Sequence, residues 1–255
     1  MTTRKEAAVL PLNDTVKVED GTDRMLVRLD RPQARNAIDA GMVADLHAVC
    51  AELERRPRVL VLTGSDGIFA AGADIRELRE RRREDALAGI NSGLFDRIAR
   101  LPMPTIAAVD GPALGGGAEL AYACDFRLAT PRARFGNPEA GLGIMAAAGA
   151  CWRLRELVGE PLAKEILLAG RVLSAEEALA VRLVNEVVPQ DELPAAADRL
   201  AARIAKNAPL ALRLTKLALA APPGAHPRFD DVAQAVLFET EEKHERMTAF
   251  LERRR

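Results

Sequence analysis

The stretch Thr105-Ile106-Ala107-Ala108-Val109-Asp110-Gly111-Pro112-Ala113-Leu114-Gly115-Gly116-Gly117-Ala118-Glu119-Leu120 decides how this chain reads. It opens on an apolar run suited to a strand buried on both faces. It breaks at Asp110-Gly111-Pro112 and resumes, past three glycines, as a helix-like run of small residues from Ala118 to Cys124. Val59-Leu60-Val61-Leu62 repeats the pattern and runs into the turn Thr63-Gly64-Ser65-Asp66-Gly67. Phe126 to Ala129 is a third such run and Val184 to Val188 a fourth. Upstream, Val16 to Glu19 and Arg24 to Leu29 read as two short strands around Asp20-Gly21, stopped by Arg31-Pro32. Asp39 then caps a helix with Met42, Val43, Leu46, Val49, Cys50 and Leu53 at helical spacing. Recurring strand, turn and helix predict an α/β fold.

From Ser174 the character changes. Ser174-Ala175-Glu176-Glu177 is a capping box. Asp191 to Lys206, Leu210 to Leu219 and Phe229 to Arg255 read as helices, separated by Pro209 and Pro222-Pro223-Gly224. The expected division is a core over residues 1–195 and a C-terminal helical module over residues 196–255.

Composition bounds the function. The 255 residues carry 36 Lys and Arg against 37 Asp and Glu, a net charge of -1, so nothing favours nucleic acid or an acidic membrane as partner. Aromatic residues are 4%, too few for base-stacking platforms. Cys50, Cys124 and Cys151 are widely spaced, which suggests neither disulfides nor zinc but reduced thiols in a cytoplasm. The apolar patch Ala7 to Leu12 is too short for a secretory segment. The uncharged stretch Ala140 to Trp152 is far below a membrane span and reads as closely packed buried backbone. Trp152 and Tyr122 read as core residues, and His47, His226 and His244 as surface or packing residues.

Three segments carry chemistry: Phe69 to Ile75, Asp110 to Leu120, and Phe135-Gly136-Asn137-Pro138-Glu139 leading to Gly143. Gly115, Gly116 and Gly117 let backbone approach a ligand closely, with free N–H groups at the start of the following helix. No phosphate-binding loop or dinucleotide fingerprint is present. In the first segment Asp74, with Glu77 three residues on, opens a second helix. Two loops can thus each offer an N–H, and two converging donors make an oxyanion hole. Glu119 and Glu139 lie in apolar surroundings, which suits proton transfer. The plainer alternative pairs each with a buried arginine such as Arg127 or Arg134.

Taken together, these segments resemble the crotonase family, the enoyl-CoA hydratases and isomerases. The likeness includes Leu29-Asp30-Arg31-Pro32 with Asn36-Ala37, Leu168-Ala169-Gly170-Arg171, Leu183 to Val188, and Met247-Thr248-Ala249-Phe250. It implies a spiral of ββα units with a C-terminal module that forms a homotrimer or a dimer of trimers. It implies an acyl-CoA thioester substrate, with no metal, flavin or nicotinamide. By this resemblance the oxyanion amides are those of Ala73 and Gly116, Glu119 activates the water that attacks C3, and Glu139 delivers a proton to C2. Ala34, Ala71, Asp74, Ile75 and Gly115 would line CoA and acyl group, Ala147 would help hold the water, and Phe250 and Arg253 would reach CoA on a neighbouring subunit. Ala146 and Ala147 stand where the family's hydratases carry Pro-Gly; alanine keeps the N–H but disfavours positive φ. The expected activity is hydration of a trans-2-enoyl-CoA. The alternatives are a Δ3-Δ2 isomerase or related lyase, resting on Glu139, and an acyl-CoA-binding protein without turnover.

Overall fold

The computed structural model describes residue 10 and residues 12–253. Most of the apolar patch Ala7 to Leu12, and Arg254 and Arg255, lie outside the described residues.

The first half of the chain runs through β1 (Val16–Asp20), β2 (Arg24–Leu29), α1 (Ala40–Arg55), β3 (Val59–Gly64), α2 (Ile75–Glu80), α3 (Arg83–Leu87), α4 (Ile90–Ala99), β4 (Thr105–Val109), β5 (Pro112–Leu114) and α5 (Gly116–Ala123). The second half holds β6 (Phe126–Ala129), β7 (Arg134–Gly136), α6 (Ala150–Val158), α7 (Glu160–Ala169), β8 (Leu173–Ser174), α8 (Ala175–Ala180), β9 (Glu186–Val187) and α9 (Leu193–Ala205). It closes with α10 (Pro209–Ala220), α11 (Arg228–Phe238) and α12 (Glu241–Glu252). Six strands form one sheet in the order β1-β2-β3-β4-β6-β9, antiparallel only between β1 and β2. A second sheet, β5-β7-β8, mixes one parallel and one antiparallel pairing.

Strand periodicity explains why β3 and β4 are apolar throughout. Leu60 and Leu62 of β3, with Ala107 and Val109 of β4, face a core shared with α1, α4 and α5. Val59, Val61, Ile106 and Ala108 face the other way, onto Leu193, Ala196, Ala197, Leu200 and Ala201 of α9. The division expected near residue 195 therefore falls inside a helix that covers the sheet. In α10, α11 and α12 no residue is buried, yet Leu217, Leu219, Val232, Val236, Phe238, Met247 and Leu251 are large, apolar and exposed. Lys216 ties α10 back to the core through Asp125 Oδ2, 2.6 Å away.

Three expectations need correcting. The single helix expected over 229–255 is two, because Thr240 breaks the run and caps α12, its Oγ1 accepting from the Lys243 N–H. The stretch 140–152 is not uniformly buried: Leu142 and Met145 are 59% and 64% exposed. Trp152 is not core but half-exposed, whereas Tyr122 is buried. The second sheet escaped sequence reading because β5, β7 and β8 are only two or three residues long.

Candidate active site

The parallel strands β3 and β4 both deliver their chain to one end of the sheet, and the loops that follow are stitched together there. Ala70 donates its N–H to Pro112 O at 3.1 Å, and Leu114 donates back to Ala70 O at 3.1 Å. On the other side, Ile38 N–H bonds Gly72 O at 2.8 Å and Asp74 N–H bonds Ile38 O at 2.9 Å. Successive peptides in extended chain point opposite ways, so the Ala73 N–H, between these two bonds, is turned away from Ile38. It has no acceptor among the described residues. Neither has the Gly116 N–H, the first of α5, as expected of a helix start. A Cβ built on Gly116 would stand 3.3 Å from the Ala73 nitrogen, so the two free donors are neighbours.

The glycines make this contact possible. Gly115 has φ 52° and ψ -126°, open only to glycine, and reverses the chain into α5. Gly117 presses on the facing loop so tightly that a Cβ would sit 2.2 Å from Ala70 O.

Both carboxylates reach this place. Glu119 is one turn into α5 and buried. Its Oε1 accepts from the Ala148 N–H at 2.8 Å and the Ala150 N–H at 3.1 Å, while Oε2 has no donor among the described residues. Burial pushes its carboxyl up to about 7; the nearby Glu139 charge adds to this, and the two amides and Arg153 oppose it. Glu139 sits in the 3-10 turn Pro138–Leu142, with Oε1 3.1 Å from where a Gly115 Cβ would be. Asn137 Nδ2 donates to that oxygen at a long 3.4 Å, and the buried Oε2 has no partner among the described residues. Burial raises Glu139 as well. Neither carboxylate meets Arg127 or Arg134. Arg127 spends its guanidinium on the carbonyls of Leu183, Ala121 and Cys124, and Arg134 on those of Pro131 and Ala133.

The remaining candidates divide. Ala34 and Ala71 belong to adjoining turns, joined by the bond from the Ala71 N–H to Arg35 O at 3.1 Å. Asp74 caps α2 through the Arg76 N–H and pairs with Arg31 at 3.3 Å, so its carboxylate is engaged. Glu77 does not complete a capping box; it accepts from the Ala40 N–H at the start of α1, 3.0 Å away. Ile75 is exposed beside the oxyanion loop. Ala147 is exposed, with an N–H that has no acceptor among the described residues. Ala146 and Ala147 are not among the positive-φ residues, so replacing Pro-Gly there strains nothing. Phe250 and Arg253 lie at the end of α12, exposed.

Sequence reading missed Ala148, Ala150, Asn137 and Arg153. The first two act through backbone, which leaves no side-chain signature. Asn137 was visible only as the residue before Pro138 and Glu139. Arg153 looked like any helical arginine.

Residues 23–255 match the family model described as enoyl-CoA hydratase/isomerase. The chain belongs to the crotonase family. Among its relatives, the short-chain-enoyl-CoA hydratase of Clostridium acetobutylicum is 38% identical over 96% of this chain and 97% of its own. The crotonyl-CoA hydratase of Syntrophomonas wolfei is 39% identical, over 89% of this chain and 91% of its own. A crystal structure of enoyl-CoA hydratase from Bacillus anthracis superposes with a TM-score of 0.89 at 32% identity, covering 94% of this chain and 96% of that one. The two sheets and C-terminal helices are therefore the α/β crotonase fold. Among the described residues of this crotonase, no helix is long and apolar enough to cross a membrane.

Proposed function

We propose that this crotonase-family protein is an enoyl-CoA hydratase, adding water reversibly and syn across the double bond of a trans-2-enoyl-CoA to give a 3-hydroxyacyl-CoA. The observation that carries the reading is a pair of buried carboxyls, both hard to ionise, beside two free backbone donors. Names of relatives such as crotonyl-CoA hydratase favour the same chemistry.

The thioester oxygen would lie against the Ala73 and Gly116 amides. Attack at C3 moves negative charge onto that oxygen, and each fixed donor lowers the barrier by about 3–4 kcal/mol. The two carboxyls share one proton. Glu119 has its Oε1 held, leaving Oε2 to take a proton from water. That water, donating to Oε2, favours the charged form of Glu119. The proton then belongs on Glu139, whose anion has its own backbone N–H and one long Asn137 bond. Glu139 Oε2, without a partner among the described residues, donates it to C2.

Loss of the conjugated chromophore of crotonyl-CoA tests this. Glu119→Gln and Glu139→Gln should each lower kcat by about 10³-fold. Near-full hydration by Glu119→Gln would move the reading to an isomerase that needs Glu139 alone. Tight binding of acyl-CoA by the wild type without turnover at any chain length would mean a binding protein.

The same resemblance leads us to propose that a second and third copy cover the apolar faces of α10, α11 and α12, placing Phe250 and Arg253 near a neighbour's CoA. Light scattering should then give about three times, or six times, the 27.5 kDa chain mass; a monomer overturns it.

A further inference from the structure

We propose that Arg153 is a positioning residue for Glu119, holding the turn 148–150 by packing its guanidinium on Gly149 and being shielded there by Trp152. The inference rests on the hydratase reading, in which Glu119 must present one oxygen to water.

Three consecutive residues make the grip. The N–H groups of Ala148 and Ala150 both point at Glu119 Oε1. Two amides on either side of one residue reach the same atom only if that residue is sharply turned. Gly149 supplies the turn, with φ 134° and ψ -16°. The space a side chain would fill at Gly149 is taken by Arg153: a Cβ there would stand 2.5 Å from Nη1. Arg153 also donates its backbone N–H to Gly149 O at 2.9 Å. One residue thus braces the turn from main chain and side chain together.

The guanidinium is buried, which is costly without partners. Its carboxylate partner is loose, with Nη2 3.4 Å from Asp96 Oδ1. Asp96 bonds Arg100 more closely, at 2.6 Å. What covers Arg153 instead is the Trp152 ring, 3.8 Å from its central carbon. A half-exposed indole on a surface helix is otherwise unexplained. Stacking on a buried guanidinium accounts for it.

The arrangement is electrostatic as well as steric. The groups that face Glu119 are Glu139 from the 3-10 turn, Tyr122 from α5, and Cys151 and Arg153 from α6. Around Arg153 itself stand Asp96 and Arg100 from α4 and Glu156 from α6. Of the groups facing Glu119, Arg153 is the cation that favours its charged form. Removing that charge makes Glu119 hold its proton to higher pH. Activity then falls where Glu119 must compete for its ionised form, and recovers where alkaline solution ionises it anyway.

The test follows kcat and KM for crotonyl-CoA from about pH 6 to about pH 9 in the wild type, Arg153→Met, Arg153→Lys and Trp152→Leu. Arg153→Met should lose about threefold more in kcat at pH 6 than at pH 9, on top of a pH-independent loss from the unbraced turn, with KM nearly constant. Arg153→Lys restores the charge and returns the pH dependence towards wild type. Trp152→Leu, at an exposed position that tolerates change, should move in the same direction as Arg153→Met by a smaller factor. A loss equal at every pH, or one confined to KM, overturns the proposal, as does a Trp152→Leu profile superimposable on wild type. If the wild type hydrates no enoyl-CoA, the parent reading fails; if it hydrates and Arg153→Met merely parallels it, this inference alone fails.

Discussion

The two glutamates lie close enough to feel each other's charge, yet their supports differ in kind. Glu119 rises from a helix interior, and a second helix start grips one of its oxygens with two short amide bonds. Glu139 hangs on a five-residue 3-10 turn, supported by its own backbone N–H and by the Asn137 amide at 3.4 Å, with no partner for Oε2 among the described residues. Two good donors favour an anion that holds still; a carboxyl with weaker ones favours a proton. The proposed roles of base and acid follow from this difference once water donates to Glu119 Oε2. The difference also means that the two residues fail in different ways, and the predictions below exploit that.

Among changes that leave both glutamates in place, the largest effect should come from breaking the grip on Glu119. Gly149→Ala puts a methyl where Arg153 Nη1 lies and disfavours a φ of 134°. The turn must rotate, and at least one of the two amide bonds must lengthen. A displacement of about 1 Å at a reacting group costs roughly 10²-fold in rate. We expect kcat for crotonyl-CoA to fall by about that factor while KM changes little. A wild-type kcat in Gly149→Ala would show that the two amides do not position the base.

How much of this was legible in the sequence follows the same contrast. β4 and β6 were read to the residue, because each sends apolar side chains into the cores on both faces of the sheet, although Arg127 interrupts β6. The caps at Asp39 and Ser174 were read because a side chain does the capping. The oxyanion glycines and both carboxylates stood out by residue type. What stayed hidden is whatever acts through main chain or through distant pairing. The amides of Ala148 and Ala150 belong to residues of no chemical character. The Arg153 guanidinium gains its meaning from Gly149 and Trp152, which only the fold brings over it. Pairing β5 with β7 depends on contacts across 22 positions of sequence, Pro112 with Arg134, which no local pattern encodes.

The next effect is thermodynamic and concerns Glu119 alone. Its folded carboxyl is raised to about 7, above the ordinary 4.5 of a glutamate. A raised value means that the folded state keeps a proton the unfolded chain releases. The associated stability is complete below pH 4.5 and is lost as pH rises through 7. The size of that loss is about 3 kcal/mol. Glu119→Gln removes the titration while its amide oxygen still accepts from Ala148 and Ala150. The variant should therefore match the wild type near pH 5 and be more stable near pH 8, by up to about 3 kcal/mol in urea melts. An inactive protein sturdier than its active parent is the expected mark of a carboxylate buried for chemistry. If the difference between the two proteins does not change with pH, Glu119 titrates normally and the contrast with Glu139 loses its basis.

The smallest effect probes a group that stands near both carboxylates and serves neither. Tyr122 lies one turn beyond Glu119 on α5, and its buried hydroxyl has no hydrogen-bond partner among the described residues. Burial and the two nearby glutamates push its phenol well above the ordinary range, so it stays neutral throughout the working pH. An unmet buried hydroxyl costs about 1–3 kcal/mol, whereas a phenylalanine ring of the same shape costs nothing polar. Tyr122→Phe should then raise the melting temperature by about 2–4 °C for each kcal/mol recovered. Because the hydroxyl donates to neither carboxylate, the ratio of crotonyl-CoA kcat at pH 6 to that at pH 8 should stay within about twofold of the wild-type ratio. A destabilised variant would mean that the hydroxyl has a partner in solution. If the pH ratio moved as well, that partner would be one of the glutamates, and the separate supports of base and acid would have to be redrawn as one connected network.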